Sequence, residues 1–192
     1  MKVLIVYCHP NPKSYCHAIL ETAREALSGA GHEVVVRELY ALDFDPVLAP
    51  ADFEALQAGS GRADVLEEQK HVAWADLLLY VYPIWWTGLP AMLKGYIDRV
   101  FNYGFAYVFE ATGPVGLLKG KKSLAITTQG TPRPYYQSTG MEAAMVSTQD
   151  QGIWGFCGIE ALEHVFLGDV IGCGDEQRKA LLEELEQRLA AL

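Results

Sequence analysis

Three short runs of the chain are rich in apolar residues and do not alternate strictly between apolar and polar positions. They are Lys2 to Tyr7, Asp76 to Tyr82 and Ser123 to Thr128, and all three are rich in Val, Ile and Leu. In a strand with one solvent-exposed face, apolar and polar residues alternate, whereas a strand of continuous apolar residues is covered on both faces. Glu33 to Arg37 and His164 to Val170 are two further strand candidates. The five runs predict a parallel sheet with helices on both sides.

Amphipathic segments separate these runs. Helices are predicted over Tyr15 to Ala30, Val65 to Trp74, Ala91 to Phe101, Glu142 to Phe156 and Asp175 to Leu192, and Ala41 to Gly61 is interpreted as a long connection. The order strand, helix, strand, followed by strand–helix alternation, indicates right-handed crossovers between parallel strands. Neither a repeat nor a change of composition divides the chain. We therefore expect one α/β domain over residues 1–192, a doubly wound sheet.

The composition limits the binding partners and the cellular location that we expect for this protein. The formal net charge of -9 disfavours nucleic acids and anionic membranes. The longest apolar stretch, around Leu77 to Trp86, is far shorter than the roughly 20 residues of a membrane helix, so we expect no membrane insertion. The start of the chain does not resemble a signal peptide. The four cysteines show no CxxC spacing, and we predict no metal site. A cytoplasmic protein is the resulting expectation.

A turn with two adjacent tryptophans follows the apolar run that ends at Tyr82. It reads Pro83-Ile84-Trp85-Trp86-Thr87-Gly88-Leu89-Pro90. Proline and glycine impose an irregular backbone there. The turn would lie at the carboxyl end of a buried strand, where open α/β sheets bind their ligands. Two indoles at that position suggest a flat aromatic ligand; the alternative is that they fill the core.

Two more strand ends carry polar groups. The loop Cys8 to Tyr15 joins the first strand to the first helix, and the free N–H groups of such a junction favour an anion such as phosphate. His9 and Lys13 would add donors, while Ser14 would either cap the helix or contact the phosphate. The loop lacks the glycine patterns of the common nucleotide sites. After the fourth strand, Thr127 to Gly130 offer hydrogen bonds to a polar ring edge, and Gly130 permits close approach.

These turns belong to longer stretches with a recognisable likeness. The longest is PIWWTGLPAMLKGYIDRVFNYGFAY, from Pro83 to Tyr107; HPNPKSY, TTQG, LYALDFDPVL and FCGIEALE support it. Over nearly its whole length the chain resembles the NAD(P)H:quinone oxidoreductase family, the DT-diaphorase-like flavoproteins of flavodoxin-like fold. The resemblance implies a five-stranded parallel sheet of order 2-1-3-4-5. It also implies a flavin, with FAD favoured over FMN, NAD(P)H as co-substrate, and a homodimer whose subunits share the site.

The resemblance also assigns roles to residues. The flavin phosphates would be held by His9, Ser14 and Tyr15, and the ring and ribityl chain would lie along Pro83, Ile84, Trp85 and Trp86. Thr127, Thr128, Gln129 and Gly130 would contact the isoalloxazine edge, and Tyr136 would lie near the reactive ring. Gln129, Gly130 and Tyr136 are the candidate catalytic groups, because they would stabilise charge on the reduced flavin. Trp86, Phe105 and Tyr107 would shape the substrate slot, with Phe109 beside them.

The implied reaction is a two-electron hydride reduction of quinones or similar planar acceptors by a ping-pong mechanism. An electron carrier of flavodoxin type and a regulatory flavoprotein of an ion-efflux system are the alternatives. Glu142 stands where better-known family members have a histidine, and Cys16 stands where they often have asparagine.

Asp98 and Arg99, in the helix after the tryptophan turn, are interpreted as a structural or interfacial ion pair.

Overall fold

The computed structural model describes all residues from Met1 to Leu192. Its strands are β1 (Lys2–Tyr7), β2 (Glu33–Glu38), β3 (Leu77–Pro83), β4 (Tyr107–Glu110), β5 (Gly113–Gly116), β6 (Lys122–Thr128) and β7 (Glu160–Leu167). Its helices are α1 (Tyr15–Gly29), α2 (Pro50–Gln57), α3 (Ala63–Trp74), α4 (Ala91–Val100), α5 (Arg133–Ser138), α6 (Met141–Met145) and α7 (Asp175–Leu189), with a π-helix at Val146–Gly155 between α6 and β7.

Five strands form one parallel sheet in the order β2-β1-β3-β6-β7. Counted along the chain without the β4–β5 pair, this is the predicted order 2-1-3-4-5, which is thereby confirmed. The order reverses next to β1, so β1 and β3 diverge into crossovers on opposite sides of the sheet. Ligands of doubly wound folds bind at such a switch point.

Both faces of the sheet are covered, as the continuous apolar strands require. One face carries Ile5 and Leu79 and packs against Leu27 of α1 and Leu189 of α7. The other face carries Leu4, Leu78 and Tyr80 and packs against α3, α4 and the π-helix, where the Trp154 indole stacks on Tyr80. Consecutive strand residues therefore enter different cores, which explains why no polar residue interrupts the runs. No helix in the structure combines the length and the apolar character that a bilayer crossing demands.

Four segments differ from the sequence prediction. The connection Ala41 to Gly61 contains a helix, α2, and the antiparallel β4–β5 pair was not predicted. The predicted helix from Glu142 to Phe156 is α6 followed by the π-helix, and the last strand begins four residues earlier than predicted and ends at Leu167. Contacts with distant residues decide these segments. At Gly116, for example, a Cβ atom would lie 2.3 Å from the backbone of Cys157, which ties β5 to the end of the π-helix.

The predicted pairing of Asp98 with Arg99 is wrong. Asp98 binds Lys94 at 2.6 Å on the exposed side of α4, whereas the Arg99 side chain is fully buried. Its guanidinium reaches Asp52 of α2 and Asp64 of α3, the latter at 2.7 Å. Neighbouring residues of a helix point in directions about 100° apart, so the side chains of exposed Asp98 and buried Arg99 lie on different sides of α4 and do not pair with each other. Arg99 is structural, as interpreted, and holds three helices together.

Candidate functional site at the carboxyl edge of the sheet

The three polar turns start side by side at one edge of the sheet. The N–H of Cys8 donates to the carbonyl of Val81 at 3.0 Å, and the N–H of Ile84 donates to the carbonyl of Thr128 at 2.7 Å. These bonds extend the β1–β3 and β3–β6 ladders by one step beyond each strand. The His9 and Trp85 rings then lie with centroids 6.0 Å apart. Ile84 packs in one apolar cluster with Met145, Phe166 and Tyr136. The turns therefore converge on one region.

The first turn presents a helix N-terminus. Ser14 caps α1, its Oγ accepting the N–H of His17 at 3.2 Å, so the structure shows the capping role. His9 Nδ1 lies 3.0 Å from the Asn11 N–H and 3.2 Å from the Asn11 carbonyl, so it accepts in one tautomer and donates in the other, while Nε2 has no partner within the protein. Burial lowers the pKa of His9, and a backbone hydrogen bond to Asn11 opposes this. Tyr15 donates its hydroxyl to the carbonyl of Arg178 at 2.9 Å, which joins this turn to α7.

The tryptophan turn exposes its indoles. Trp86 is 100% exposed and Trp85 is 42% exposed, so the alternative that both indoles fill the core is wrong. Trp85 and Gly88 exchange two backbone hydrogen bonds, of 3.2 and 3.1 Å. Trp86 and Thr87, which lie between Trp85 and Gly88, have φ of 53° and 57° respectively, as in a tight two-residue turn of type I′. Side chains with a Cβ are strained in this region, and such strain is concentrated at functional sites.

The strain at Thr87 predicts a measurable difference between two variants. Both Thr87→Gly and Thr87→Ala remove the hydrogen bond from Thr87 Oγ1 to the Trp86 carbonyl, but only glycine relieves the left-handed backbone. After allowing for the greater freedom of glycine in the unfolded chain, we expect the glycine variant to be more stable than the alanine variant by about 0.5–1 kcal/mol. Urea denaturation measures the difference. Equal stabilities would show that the turn is unstrained.

The third turn carries a buried amide without a partner. The Thr127 hydroxyl lies 3.2 Å from both His164 Nε2 and the Val165 carbonyl, and Thr128 Oγ1 lies 3.0 Å from Cys16 Sγ, so neither hydroxyl is free. Gln129 is 2% exposed, and both polar atoms of its carboxamide are buried without a hydrogen bond. Such a group costs about 1–3 kcal/mol unless a ligand supplies its bonds. Gln129 therefore marks a position where a polar ligand edge fits.

Gly130 and Ile171 form the rim beside Gln129. A Cβ atom on Gly130 would lie 2.9 Å from Ile171 Cδ1, and Ile171 is 82% exposed. Because Gly130 has no side chain, the space between its backbone and the Ile171 side chain is not filled. The sequence analysis did not identify Ile171 as a rim residue, because only the fold brings the loop after β7 over the loop after β6.

Glu142 is neutralised by a neighbour. Arg133 donates from Nε and Nη2 to the two carboxylate oxygens, at 2.8 and 2.9 Å. The hydrogen bonds from Arg133 lower the pKa of Glu142, although partial burial opposes them. A carboxylate with a lowered pKa is unprotonated at neutral pH and has no proton to donate. Tyr136, half-buried nearby against Ile84 and Phe166, keeps a hydroxyl that can donate.

The predicted slot residues lie elsewhere in the single chain. Tyr107 lines a cavity of about 440 Å³ between α2, α4 and the π-helix, and Phe105 packs against the core on that face of the sheet. Tyr103, Phe109 and Phe156 surround Tyr107, the Tyr107 and Phe156 rings having centroids 5.0 Å apart. None of the tryptophan-turn residues lines this cavity. The structure therefore brings Trp86 together with the phosphate and amide turns, but not with Phe105 or Tyr107.

Comparison with known proteins places this edge in context. A family model described as flavodoxin-like fold matches residues 1–192. The chain is 35% identical to an uncharacterized NAD(P)H oxidoreductase of Haemophilus influenzae, over 100% of the chain and 95% of that protein. It is 33% identical to the mouse ribosyldihydronicotinamide dehydrogenase [quinone], over 100% of the chain and 91% of that protein. The chain thus has full-length relatives among two-substrate redox enzymes.

Solved structures of related proteins share the fold of this chain. The NAD(P)H:quinone oxidoreductase from Methanothermobacter marburgensis superimposes with a TM-score of 0.89 at 30% identity, covering 99% of this chain and 96% of that one. Smu.1420 from Streptococcus mutans superimposes with a TM-score of 0.90 at 36% identity over the whole of both chains. The flavodoxin-like fold and the convergent site edge define a class of α/β oxidoreductases. Within that class, the chain belongs to the NAD(P)H:quinone oxidoreductase family.

Proposed function

We propose that the chain binds a flavin across the three turns and catalyses two-electron reduction of quinones or similar planar acceptors by NAD(P)H. The observation that carries the proposal is the buried, unpartnered carboxamide of Gln129 at the same edge of the sheet as the exposed indoles of Trp85 and Trp86. A carboxamide has a donor and an acceptor, and the pyrimidine edge of a flavin has both complements. The indoles suit the flat ring next to that edge. A flavin thus fits both features.

The remaining residues suit the rest of the cofactor. The α1 N-terminus, with His9 and Ser14 beside it, supports binding of the phosphates, and Tyr15 braces this turn against α7. Pro83 and Ile84 would lie under the ring, and Thr127 and Thr128 would contribute through the backbone, since their hydroxyls are engaged. FAD is favoured over FMN, because the exposed Ile171 and the turn before α7 extend the binding edge beyond the phosphates.

The reaction requires two electrons and two protons in total, NAD(P)H + H⁺ + quinone giving NAD(P)⁺ + hydroquinone. The flavin, when bound, supplies the hydride chemistry. The Gly130 backbone N–H would stabilise negative charge at the ring edge, whereas the Gln129 N–H already donates to the Leu167 carbonyl at 2.9 Å. Tyr136 would hold a proton on its hydroxyl at the same edge, while Glu142 would stay ionised beside Arg133. The sequential use of one slot by donor and acceptor makes the mechanism ping-pong.

A second copy of the chain would complete the slot. Tyr103 and Phe109 are exposed around the groove next to Tyr107, and exposed aromatic patches of this kind mark interfaces. Trp86 stands fully exposed at the carboxyl edge of the sheet, apart from this groove. We propose a homodimer in which aromatic residues of one copy, Phe105 and Tyr107 among them, cover the cleft of the other.

One set of measurements tests the function. The purified protein should be yellow; NADH or NADPH should bleach it, and a quinone should restore the colour. Mass spectrometry of the released cofactor distinguishes FAD from FMN. Bleaching only through a reductase partner would indicate a carrier, and a reducible flavin without quinone turnover would indicate a regulatory protein. A colourless protein that takes up neither flavin would contradict the proposal.

A further inference from the structure

A buried polar chain lies behind the third turn. His164 of β7 has a side chain that is 1% exposed, and its two ring nitrogens face Thr127 and Asp150. Nε2 lies 3.2 Å from Thr127 Oγ1, and Nδ1 lies 3.3 Å from Asp150 Oδ2 of the π-helix. The Phe166 ring stacks on the imidazole, with centroids 3.9 Å apart and planes 10° apart. An ionisable histidine is thus held rigidly inside the protein.

This arrangement satisfies both protonation states of the ring. Asp150 accepts the Nδ1 proton in either state. When Nε2 is unprotonated, the Thr127 hydroxyl can donate to it; when Nε2 carries a proton, Nε2 donates to Thr127 Oγ1, and that hydroxyl donates to the Val165 carbonyl at 3.2 Å. One hydroxyl rotation therefore accompanies proton uptake. No buried polar atom is left without a partner in either state.

The chain adjoins the proposed flavin edge. Side chains alternate along a strand, so Gln129 lies on the same face as Thr127, two residues further toward the cleft. Phe166, which stacks on His164, packs in the cluster with Ile84 and Tyr136. The region between the imidazole and the cleft is buried, and electrostatic interactions are strong where water is excluded.

A cavity borders the strand that carries His164. A cavity of about 260 Å³ opens at the outer edge of β7, and His164, Phe166 and Leu185 line it together with charged groups from α5 and α7. β7 is the last strand of the sheet, so no further strand closes this side. His164 therefore lies between the cavity and Thr127, which leads to the cleft.

Several charged and polar groups surround His164, and only one of them is a carboxylate in contact with its ring. From the π-helix it faces Asp150, and from β3 it faces the Tyr82 ring, whose hydroxyl donates to Gln149 Oε1 at 2.5 Å. Around it the ion pairs Arg133–Glu142 and Arg188–Glu163 are internally neutralised, and Glu184 of α7 lines the cavity. Of these groups, Asp150 is the one carboxylate within hydrogen-bond distance of the imidazole.

We propose that His164, positioned by Asp150 and Thr127, takes up a solvent proton when the flavin at the neighbouring edge is reduced. The inference rests on the proposed function. Hydride transfer from NADH to the flavin moves two electrons and one proton together, leaves NAD⁺, and adds one negative charge to the cleft. Binding of one solvent proton to Nε2 of His164 balances that charge. When a quinone takes the hydride, the negative charge passes to the hydroquinone anion; release of the His164 proton to the cleft supplies the proton that completes the hydroquinone and returns His164 to its starting state.

Proton uptake during flavin reduction tests this role directly. The holoprotein is reduced by a stoichiometric amount of NADH in weakly buffered solution at pH 7, and an indicator dye follows free protons while absorbance follows the flavin. Relative to His164→Gln, we expect the wild type to take up roughly half a proton to one proton more per flavin reduced. Transfer of a hydride alone consumes no solvent proton, so the excess reports an ionisable group.

Matched variants make the result decisive. Asp150→Asn keeps the shape but removes the charge, and it should lose most of the excess uptake even if His164→Gln does not fold. His71→Gln removes a histidine that faces Glu67 on α3, at 3.7 Å, away from the cleft, and uptake should be unchanged. Equal uptake by the wild type and by the folded His164→Gln or Asp150→Asn protein would overturn the inference. A protein that NADH does not bleach would instead contradict the proposed function.

Discussion

Replacement of Arg99 by methionine is expected to lower the free energy of unfolding by about 3–5 kcal/mol, because it leaves the buried carboxylate of Asp52 without a charged partner. Arg99 donates from Nε and Nη2 to Asp52 Oδ1, at 3.0 and 2.9 Å, and from Nη1 to Asp64 Oδ2 and the Asp45 carbonyl, both at 2.7 Å. The Arg99 side chain has no exposure, and that of Asp52 has only 6%. One guanidinium therefore joins α2, α3 and α4.

Urea denaturation of Arg99→Met and of a control, Lys94→Met, measures this effect. Lys94 lies on the same helix and binds Asp98, but the pair is exposed, so the control should change stability by less than about 1 kcal/mol. Similar losses in the two variants would show that the buried pair contributes no more than the surface pair. Methionine also replaces much of the volume of the arginine stem, so the comparison isolates the charge.

The same pair makes the loss depend on pH. Burial acts to raise the pKa of Asp52 and of Asp64, but the hydrogen bonds from Arg99 outweigh it and hold both values below the usual range. A lowered pKa in the folded state adds stability above the unfolded value of about 4, and that stability is lost as the pH falls through the folded value. The stability difference between wild type and Arg99→Met should therefore be largest near neutral pH and shrink below about pH 4.

Replacement of Gln129 by leucine is expected to change stability and flavin affinity in opposite directions. Both polar atoms of the Gln129 carboxamide are buried and unpartnered in the free protein, so an apolar side chain of similar size should stabilise the apoprotein by about 1–2 kcal/mol. The same change removes a donor and an acceptor from the proposed ring edge. We expect flavin to bind at least roughly tenfold more weakly, which corresponds to about 1.4 kcal/mol.

Denaturation of the apoprotein and titration by flavin fluorescence measure the two effects separately. Gln187→Leu is the matched control, since Gln187 is exposed on α7 and neither quantity should change by a comparable amount. A merely structural glutamine would yield a less stable apoprotein with unchanged flavin affinity. That result would remove the observation on which the flavin site depends.

Much of the fold was predictable because the strands are buried on both faces. β1, β2, β3 and β6 begin and end within one residue of their predicted limits, and their order was confirmed. The β4–β5 hairpin and the π-helix were missed, since neither has a continuous apolar run or a regular helical stripe. Gly116 shows the reason: β5 is held by its close approach to Cys157, which is distant in sequence.

The candidate site was predictable in position but not in its internal contacts. Turns at the carboxyl ends of neighbouring parallel strands must meet, so the order of strands was enough to bring the His9 loop to Trp85. The sequence analysis did not identify the role of His164 or Asp150, which occur in no motif; it placed Ile171 only within Ile171 to Arg178, a stretch similar to the family's adenine-side segment. A histidine within an apolar strand was the only signal that pointed to the buried network.

By itself, the amino-acid sequence determined the parallel sheet, the edge at which its polar turns converge, and the family. Apolar runs and turn residues act locally or through burial, so they can be read from a single stretch of chain. Only the tertiary structure decided that Ser14 caps α1, that Thr127 faces His164, and that Arg99 binds Asp52. The last two pairs are 37 and 47 residues apart, and contacts between such distant side chains leave no periodic pattern in the sequence.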